Sequence, residues 1–311
     1  MMGTGQNRFA DPYDMEITLN GSITAADGSS VTALAIAPVD ITKALVPQLE
    51  KVAMDGKFTG LDGKTLTFAS YEPADSEKHP LVIWLHGAGE GGADPSVALL
   101  GNKVTALVGD AFQSVLGGAY VLTPQTESFW LVWDEADPST WGDNPGTRSI
   151  YNDVVMELIR DYIAKHPGVD ESRVYVGGCS NGGYFTMALV LENPDFFAAA
   201  FPICEAYLDE GITDEQLTAI KDVPLWFVYS RDDTTVDPTK YEEPTIARLQ
   251  AIGADVHTSV FDHVVDTSGL YKDAEGNPYT YMGHWSWLYF FNGQCEENGV
   301  NMWQWMAQQH K

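Results

Sequence analysis

Arg173-Val174-Tyr175-Val176-Gly177-Gly178-Cys179-Ser180-Asn181-Gly182-Gly183-Tyr184-Phe185-Thr186-Met187 is the stretch on which the fold of this chain is decided. It begins as a short β-branched and aromatic run at 174–176. It turns through two glycines, presents Ser180, then turns through Gly182 and Gly183 into an expected helix. Within it, Gly178-Cys179-Ser180-Asn181-Gly182 is a G-x-S-x-G pattern between strand and helix, the setting of a nucleophile elbow. Side chains two before and two after a serine on so sharp a turn would collide with neighbouring backbone. Glycine removes them and tolerates unusual dihedrals. The bland alternative is a glycine-rich turn with a bystander serine, so the rest of the chain has to supply partners.

Working outward, residues 81–85 are an unbroken apolar run, as for a strand covered on both faces. The run ends in His86-Gly87-Ala88-Gly89-Glu90-Gly91-Gly92. Residues 65–71 alternate and read as a strand, 96–116 carry helical segments, and 119–122 form the next buried strand. Further upstream, 15–19 and 31–37 read as strands joined by a turn at Asp27-Gly28, and 39–53 as partly helical. Downstream, Ile150, Val154, Leu158, Ile159, Tyr162 and Ile163 share one face of a helix over 150–166, ended by Pro167-Gly168. Strands follow at 197–203, 225–229 and 256–261, and helices at 213–220, 244–252 and 300–309. The first of these helices carries a Thr213–Gln216 capping-box spacing. Turn residues at 275–278 suggest a hairpin over 271–281.

Buried strands alternating with helices imply an α/β fold: a mostly parallel central sheet flanked by helices, with antiparallel strands at the N-terminus. One domain over 1–311 is expected, with 1–64 as an N-terminal extension of strands. Residues 126–147, with Trp130, Trp133 and Trp141, read as a short cap-like insertion beside the site mouth, where the three tryptophans would line an acyl or aryl pocket. In such sheets chemistry gathers beyond the carboxyl ends of the strands, here at His86, Gly178, Tyr229 and Phe261.

A serine hydroxyl needs a base to take its proton, and the base needs a group to orient it. Past an elbow the acid comes next in the chain and the histidine last. Asp232, Asp233 and Asp237 follow the strand at 225–229. Asp233 is favoured because it falls at the first turn, with Val236 returning to the core. Glu205 and Asp209 are more distant alternatives. Of seven histidines, His263 and His284 follow the last strand, and His284 is favoured for its setting, Gly283-His284-Trp285. His86 precedes the serine and is in the wrong order. An oxyanion needs two backbone N–H donors. Asn181, after the serine, is one; Ala88, or failing it Gly89, is the other. The glycines at 87–92 lack the Lys-Ser/Thr of a phosphate loop, and the aspartates at 232–237 lack EF-hand spacing.

With these pieces in order, the chain from about residue 65 onward resembles an α/β-hydrolase. It is most similar to the serine esterases allied to dienelactone hydrolases and to the prolyl-oligopeptidase catalytic domain. The segments that carry the likeness are 81–90, 120–125, 169–182, 224–236 and 283–287. The resemblance implies Ser180, Asp233 and His284 as a triad, with neither metal nor cofactor. Cys179, an unusual neighbour for the serine, is read as inward packing. The expected activity is hydrolysis of short-chain or aryl carboxylic esters. A prolyl-oligopeptidase-like peptidase and a non-catalytic binding relative are the alternatives.

Composition narrows the partners. Among 311 residues, 44 acidic against 17 basic give a formal charge of −27. Such a surface repels phosphate backbones and anionic lipid, so neither nucleic acid nor membrane is an expected partner. No apolar run reaches membrane-spanning length. Met1-Met2-Gly3-Thr4-Gly5 is not a signal peptide, so the expectation is a cytoplasmic protein or a secreted one whose signal has been removed; the acidic shell leans to the latter. Cys179, Cys204 and Cys295 can form one disulfide at most.

Overall fold

Every residue of the strand His79–Leu85 is buried, because each of its two faces meets a different core. In the computed structural model, which describes residues 13–18, 21–32, 35–41, 47–134, 136 and 148–311, Leu81, Ile83 and Leu85 point into one core. Val82 and Trp84 point into the other. The period-2 alternation of strand side chains makes this division automatic. Phe227 and Tyr229 likewise face the first core, and Trp226 and Val228 the second.

Eight strands form the central sheet: β1 (Val52–Thr59), β2 (Thr65–Tyr71), β3 (His79–Leu85), β4 (Tyr120–Gln125), β5 (Val169–Cys179), β6 (Ala199–Ile203), β7 (Leu225–Ser230) and β8 (Val256–Phe261). Their spatial order is β1-β2-β4-β3-β5-β6-β7-β8. The β1–β2 and β2–β4 pairings are antiparallel and the rest parallel. Helices α1 (Pro95–Leu100), α2 (Asp110–Leu116), α7 (Trp287–Phe291) and α8 (Met302–Gln308) cover one face. Helices α3 (Asn152–Lys165), α4 (Asn181–Glu192), α5 (Asp214–Ala219) and α6 (Glu242–Ala251) cover the other. This is the α/β-hydrolase architecture.

The N-terminal strands differ from expectation in their partners. Tyr13–Thr18 pairs antiparallel with Ala35–Ile41, whereas the Asp27-Gly28 turn closes a smaller, exposed pair, Ser22–Thr24 with Ser30–Thr32. Among the described residues neither pair is hydrogen-bonded into the central sheet. The partly helical reading of 39–53 reduces to one 3-10 turn at Pro47–Lys51; the strand Ala35–Ile41 and β1 take its two ends, and residues 42–46 lie outside those described. Within the hairpin at 271–281 one isolated bridge pairs Lys272 with Pro278, and a second ties Thr280 to Val265 upstream of it. Among the described residues no helix is long and apolar enough to cross a membrane.

Candidate active site

Crowding explains the glycines of the elbow. A Cβ on Gly182 would lie 2.0 Å from the Leu85 carbonyl oxygen and 2.7 Å from that of His86. One on Gly178 would lie 2.5 Å from the same Leu85 oxygen. The end of β3 therefore runs directly against the turn between β5 and α4. Between those glycines Ser180 holds φ 57°, ψ −117°, a strained setting for a residue with a side chain, and its N–H donates to the Ile203 carbonyl of β6.

Ser180 Oγ lies 2.9 Å from His284 Nε2. His284 Nδ1 lies 2.6 Å from Asp233 Oδ2. All three residues are buried. The carboxylate only accepts, so Nδ1 carries the proton and Nε2 is left to accept from the hydroxyl. The other Asp233 oxygen accepts from the amides of Thr235 and Val236 at 2.8 and 2.9 Å. A hydroxyl, an imidazole and an anchored carboxylate so connected can move one proton off the oxygen and back.

The rejected candidates are also accounted for. Asp232 accepts from Ser230 Oγ at 2.5 Å and lies 2.7 Å from His263 Nδ1. Burial opposes it, but the Ser230 hydroxyl and His263 ring hold the Asp232 carboxyl below its usual range, and that carboxylate raises the exposed His263. Asp237 takes the amide and hydroxyl of Thr239. A Cβ on Gly283 would lie 2.2 Å from Asp232 Oδ1, so the glycine before His284 lets the two loops meet.

The loop after β3 was read only for its amides, yet it is a buried polar network. His86 Nδ1 lies 2.7 Å from the Gly87 carbonyl oxygen, and its Nε2 accepts the Thr126 amide at 3.2 Å. These partners fix a neutral ring, and burial pushes its pKa down to about 4. Glu90 Oε2 accepts the Gly87 amide at 2.8 Å; burial pushes its carboxyl up to about 7, with that amide pulling the other way. Ala88 is half-buried and Gly89 exposed, both on a 3-10 turn, Ala88–Glu90. Asn181 is buried, and its Oδ1 accepts the Trp130 amide at 2.6 Å. The sequence offered one signal for this network: a histidine and a glutamate bracketing glycines straight after a buried strand.

Trp130 is placed differently from expectation. It has no exposed surface; its indole N–H donates to the His86 carbonyl at 3.0 Å and its ring stacks on Phe185 of α4 at 4.8 Å. It anchors the loop to the core instead of lining a mouth. Trp133 is half-buried against the same core, and Trp141 lies outside the described residues. The three cysteines are free and buried; Cys179 and Cys204 lie in one core, where burial pushes their thiols up. Among the described residues, no three of His, Cys, Asp and Glu gather in a way that could hold a metal ion.

The phospholipase/carboxylesterase pattern matches residues 67–269, more than half of the chain. The chain belongs to the phospholipase/carboxylesterase family. It is accordingly a serine ester hydrolase. The match takes in the elbow and the aspartate loop and stops short of His284. Solved structures share the fold of this carboxylesterase-family chain. A thermostable esterase is 24% identical, with a TM-score of 0.69, over 96% of this chain and 72% of that one. A ferulic acid esterase is 14% identical, with a TM-score of 0.52, over 68% and 90%. An acylaminoacyl peptidase in complex with a chloromethyl ketone is 16% identical, with a TM-score of 0.50; 81% of this chain spans 43% of that one. A comparison with curated protein sequences finds no match.

Proposed function

We propose that the protein hydrolyses short-chain or aryl carboxylic esters through an acyl-enzyme on Ser180. The observation that carries this reading is the unbroken line from Ser180 Oγ through His284 to Asp233 on a strained turn. His284 Nε2 takes the hydroxyl proton as Oγ bonds to the acyl carbon. The carbonyl π pair moves to oxygen, and the tetrahedral oxyanion forms. Its donors are the amides of Asn181 and Ala88. Asn181 opens α4, so no helix carbonyl precedes it to accept its N–H. Ala88 follows Gly87, whose Cβ, if present, would lie 3.5 Å from Cys179 Sγ, so the two loops are in contact. Collapse expels the alcohol, which takes the proton from His284. Water then repeats the sequence and releases the acid. Asp233 accepts from Nδ1 and steadies the imidazolium.

We read substrate size from the described part of the 126–147 segment. Its described part, with Phe129, Trp130, Leu131 and Val132 buried, packs down into the core. That favours compact acyl groups over long chains. Acetyl, butyryl, octanoyl and feruloyl p-nitrophenyl or methyl esters are the assay. Expected are turnover of the short-chain or aryl members and its loss in Ser180→Ala. Full activity in Ser180→Ala would sink the mechanism, and a preference for octanoyl would sink the substrate class. Cleavage of proline peptides in place of esters would substitute a peptidase, and failure of a fluorophosphonate to label Ser180 would mean a non-catalytic relative.

A further inference from the structure

We propose that Glu90 is a positioning residue of this hydrolysis: it grips both sides of Gly87 and so fixes the peptide whose N–H, on Ala88, is offered to the oxyanion. The inference deepens the esterase reading and rests on it. The Glu90 carboxylate accepts the Gly87 N–H at 2.8 Å, and the Glu90 N–H donates to the Gly87 carbonyl at 3.2 Å. That carbonyl also faces His86 Nδ1 at 2.7 Å. Gly87 C=O and Ala88 N–H belong to one planar trans peptide and point in opposite directions. Donors that hold the carbonyl on one side therefore aim the Ala88 N–H to the other.

The surroundings are built to keep that carboxylate where it is. Among the described residues Glu90 forms no ion pair, and a buried, unpaired carboxylate is costly. A Cβ on Gly101 would lie 1.9 Å from Glu90 Oε1, so α1 ends on a residue without a side chain. The next two residues, Asn102 and Lys103, hold φ 50° and 66°; asparagine tolerates this left-handed setting, but the lysine side chain disfavours it. On the other side the Glu90 carbonyl accepts from Gln125 Nε2 at 2.8 Å, and a Cβ on Gly91 would lie 2.0 Å from the Ser128 carbonyl oxygen. Strain and burial on this scale, spent around one glutamate two residues from the Ala88 amide, have a reason if that amide must not move.

Three variants assayed with p-nitrophenyl butyrate test this. Loss of one oxyanion donor lowers kcat about 10²-fold. Glu90→Leu is expected to approach that loss, with KM within about threefold because ground-state binding does not use the amide. Glu90→Gln, whose side-chain oxygen still accepts from Gly87, is expected to recover kcat to within about tenfold of wild type. Glu90→Asp keeps the charge but is too short to reach Gly87, so it should lose kcat as Leu does; it serves if the Leu variant does not fold. A boronic acid, which forms a tetrahedral adduct on the serine, should weaken in step with kcat, while butyrate inhibition holds. Wild-type kcat in both Leu and Asp variants, or equal loss in Gln and Asp, would overturn the role of Glu90 and leave the esterase reading standing. A wild-type protein with no esterase activity would remove both.

Discussion

Asp233 Oδ2 stands 2.6 Å from His284 Nδ1, and its second oxygen is tied to the amides of Thr235 and Val236. The residue before it, Asp232, serves another ring, His263. Adjacent carboxylates in one loop are thus committed to separate histidines. Asp233→Asn would present an amide donor to Nδ1 and leave the proton on the wrong nitrogen. The expected result is a fall in kcat of about 10⁴-fold, with the hydrolase still folded. Asp232→Asn alters its contacts with Ser230 and the exposed His263 but leaves the Asp233–His284 pair in place, and kcat should stay within about fivefold. Steady-state kinetics of the two variants decides which aspartate acts; equal losses would refute the assignment.

The elbow, the order of its partners and the strands at 81–85 and 225–229 were legible because burial on both faces leaves an unbroken apolar run. β1 was not. Its half-buried positions Val52, Met54, Gly56 and Phe58 alternate with exposed ones, but the pairing slips between Ala53 and Gly56, and Gly56 stands where an apolar side chain would signal a strand. The Phe68 ring fills that place, 2.4 Å from where a Cβ would sit. Trp130 misled for a related reason. Position after a strand end places a residue near a mouth, but stacking on Phe185 and the bond to the His86 carbonyl draw it inward. The burial of Glu205 and Glu242 carries no sequence signal, since a carboxylate reads as surface until its neighbours are known.

Because Trp130 is core, its truncation should show up as lost stability and leave acyl preference alone. Trp130→Ala removes the Phe185 stack and the indole bond and is expected to destabilise the fold by about 3–5 kcal/mol, read from urea midpoints. The ratio of kcat/KM for acetyl over octanoyl esters should stay within about twofold at low temperature, where the variant is folded. A changed ratio with unchanged stability would return Trp130 to the pocket wall.

Glycines near the site differ in what a side chain there would meet. Gly182→Ala drives a methyl to 2.0 Å from the Leu85 carbonyl, so β3 and α4 must separate. Expected is loss of soluble protein or a kcat at least about 10²-fold lower, since small misplacements at reacting groups cost that much. At Gly89 a Cβ meets nothing within 4 Å, and Gly89→Ala should keep near-wild-type expression and kcat. An inactive Gly89→Ala would show that its conformation, rather than that of Ala88, sets the site.

Glu205 gives the stability of the fold a pH dependence of predictable sign. It is fully buried at the end of β6, against Gly183 of the elbow helix, and accepts the Tyr207 amide at 2.5 Å. Burial pushes its carboxyl from 4.5 up to about 8, with the Tyr207 amide pulling down and Asp209 adding to the rise. Glu242, at the start of α6, is also pushed up, by burial and then by the charge of Glu205. Between pH 4.5 and 8 the unfolded chain has released the Glu205 proton and the folded one keeps it. Folding then binds a proton, and stability falls by about 1.4 kcal/mol per pH unit per such group across that window. Glu205→Gln keeps an acceptor for Tyr207 and removes the ionisation. Its urea midpoint should match wild type near pH 5 and exceed it increasingly toward pH 8.5. A difference that stays constant with pH would show that Glu205 does not hold its proton in the folded protein.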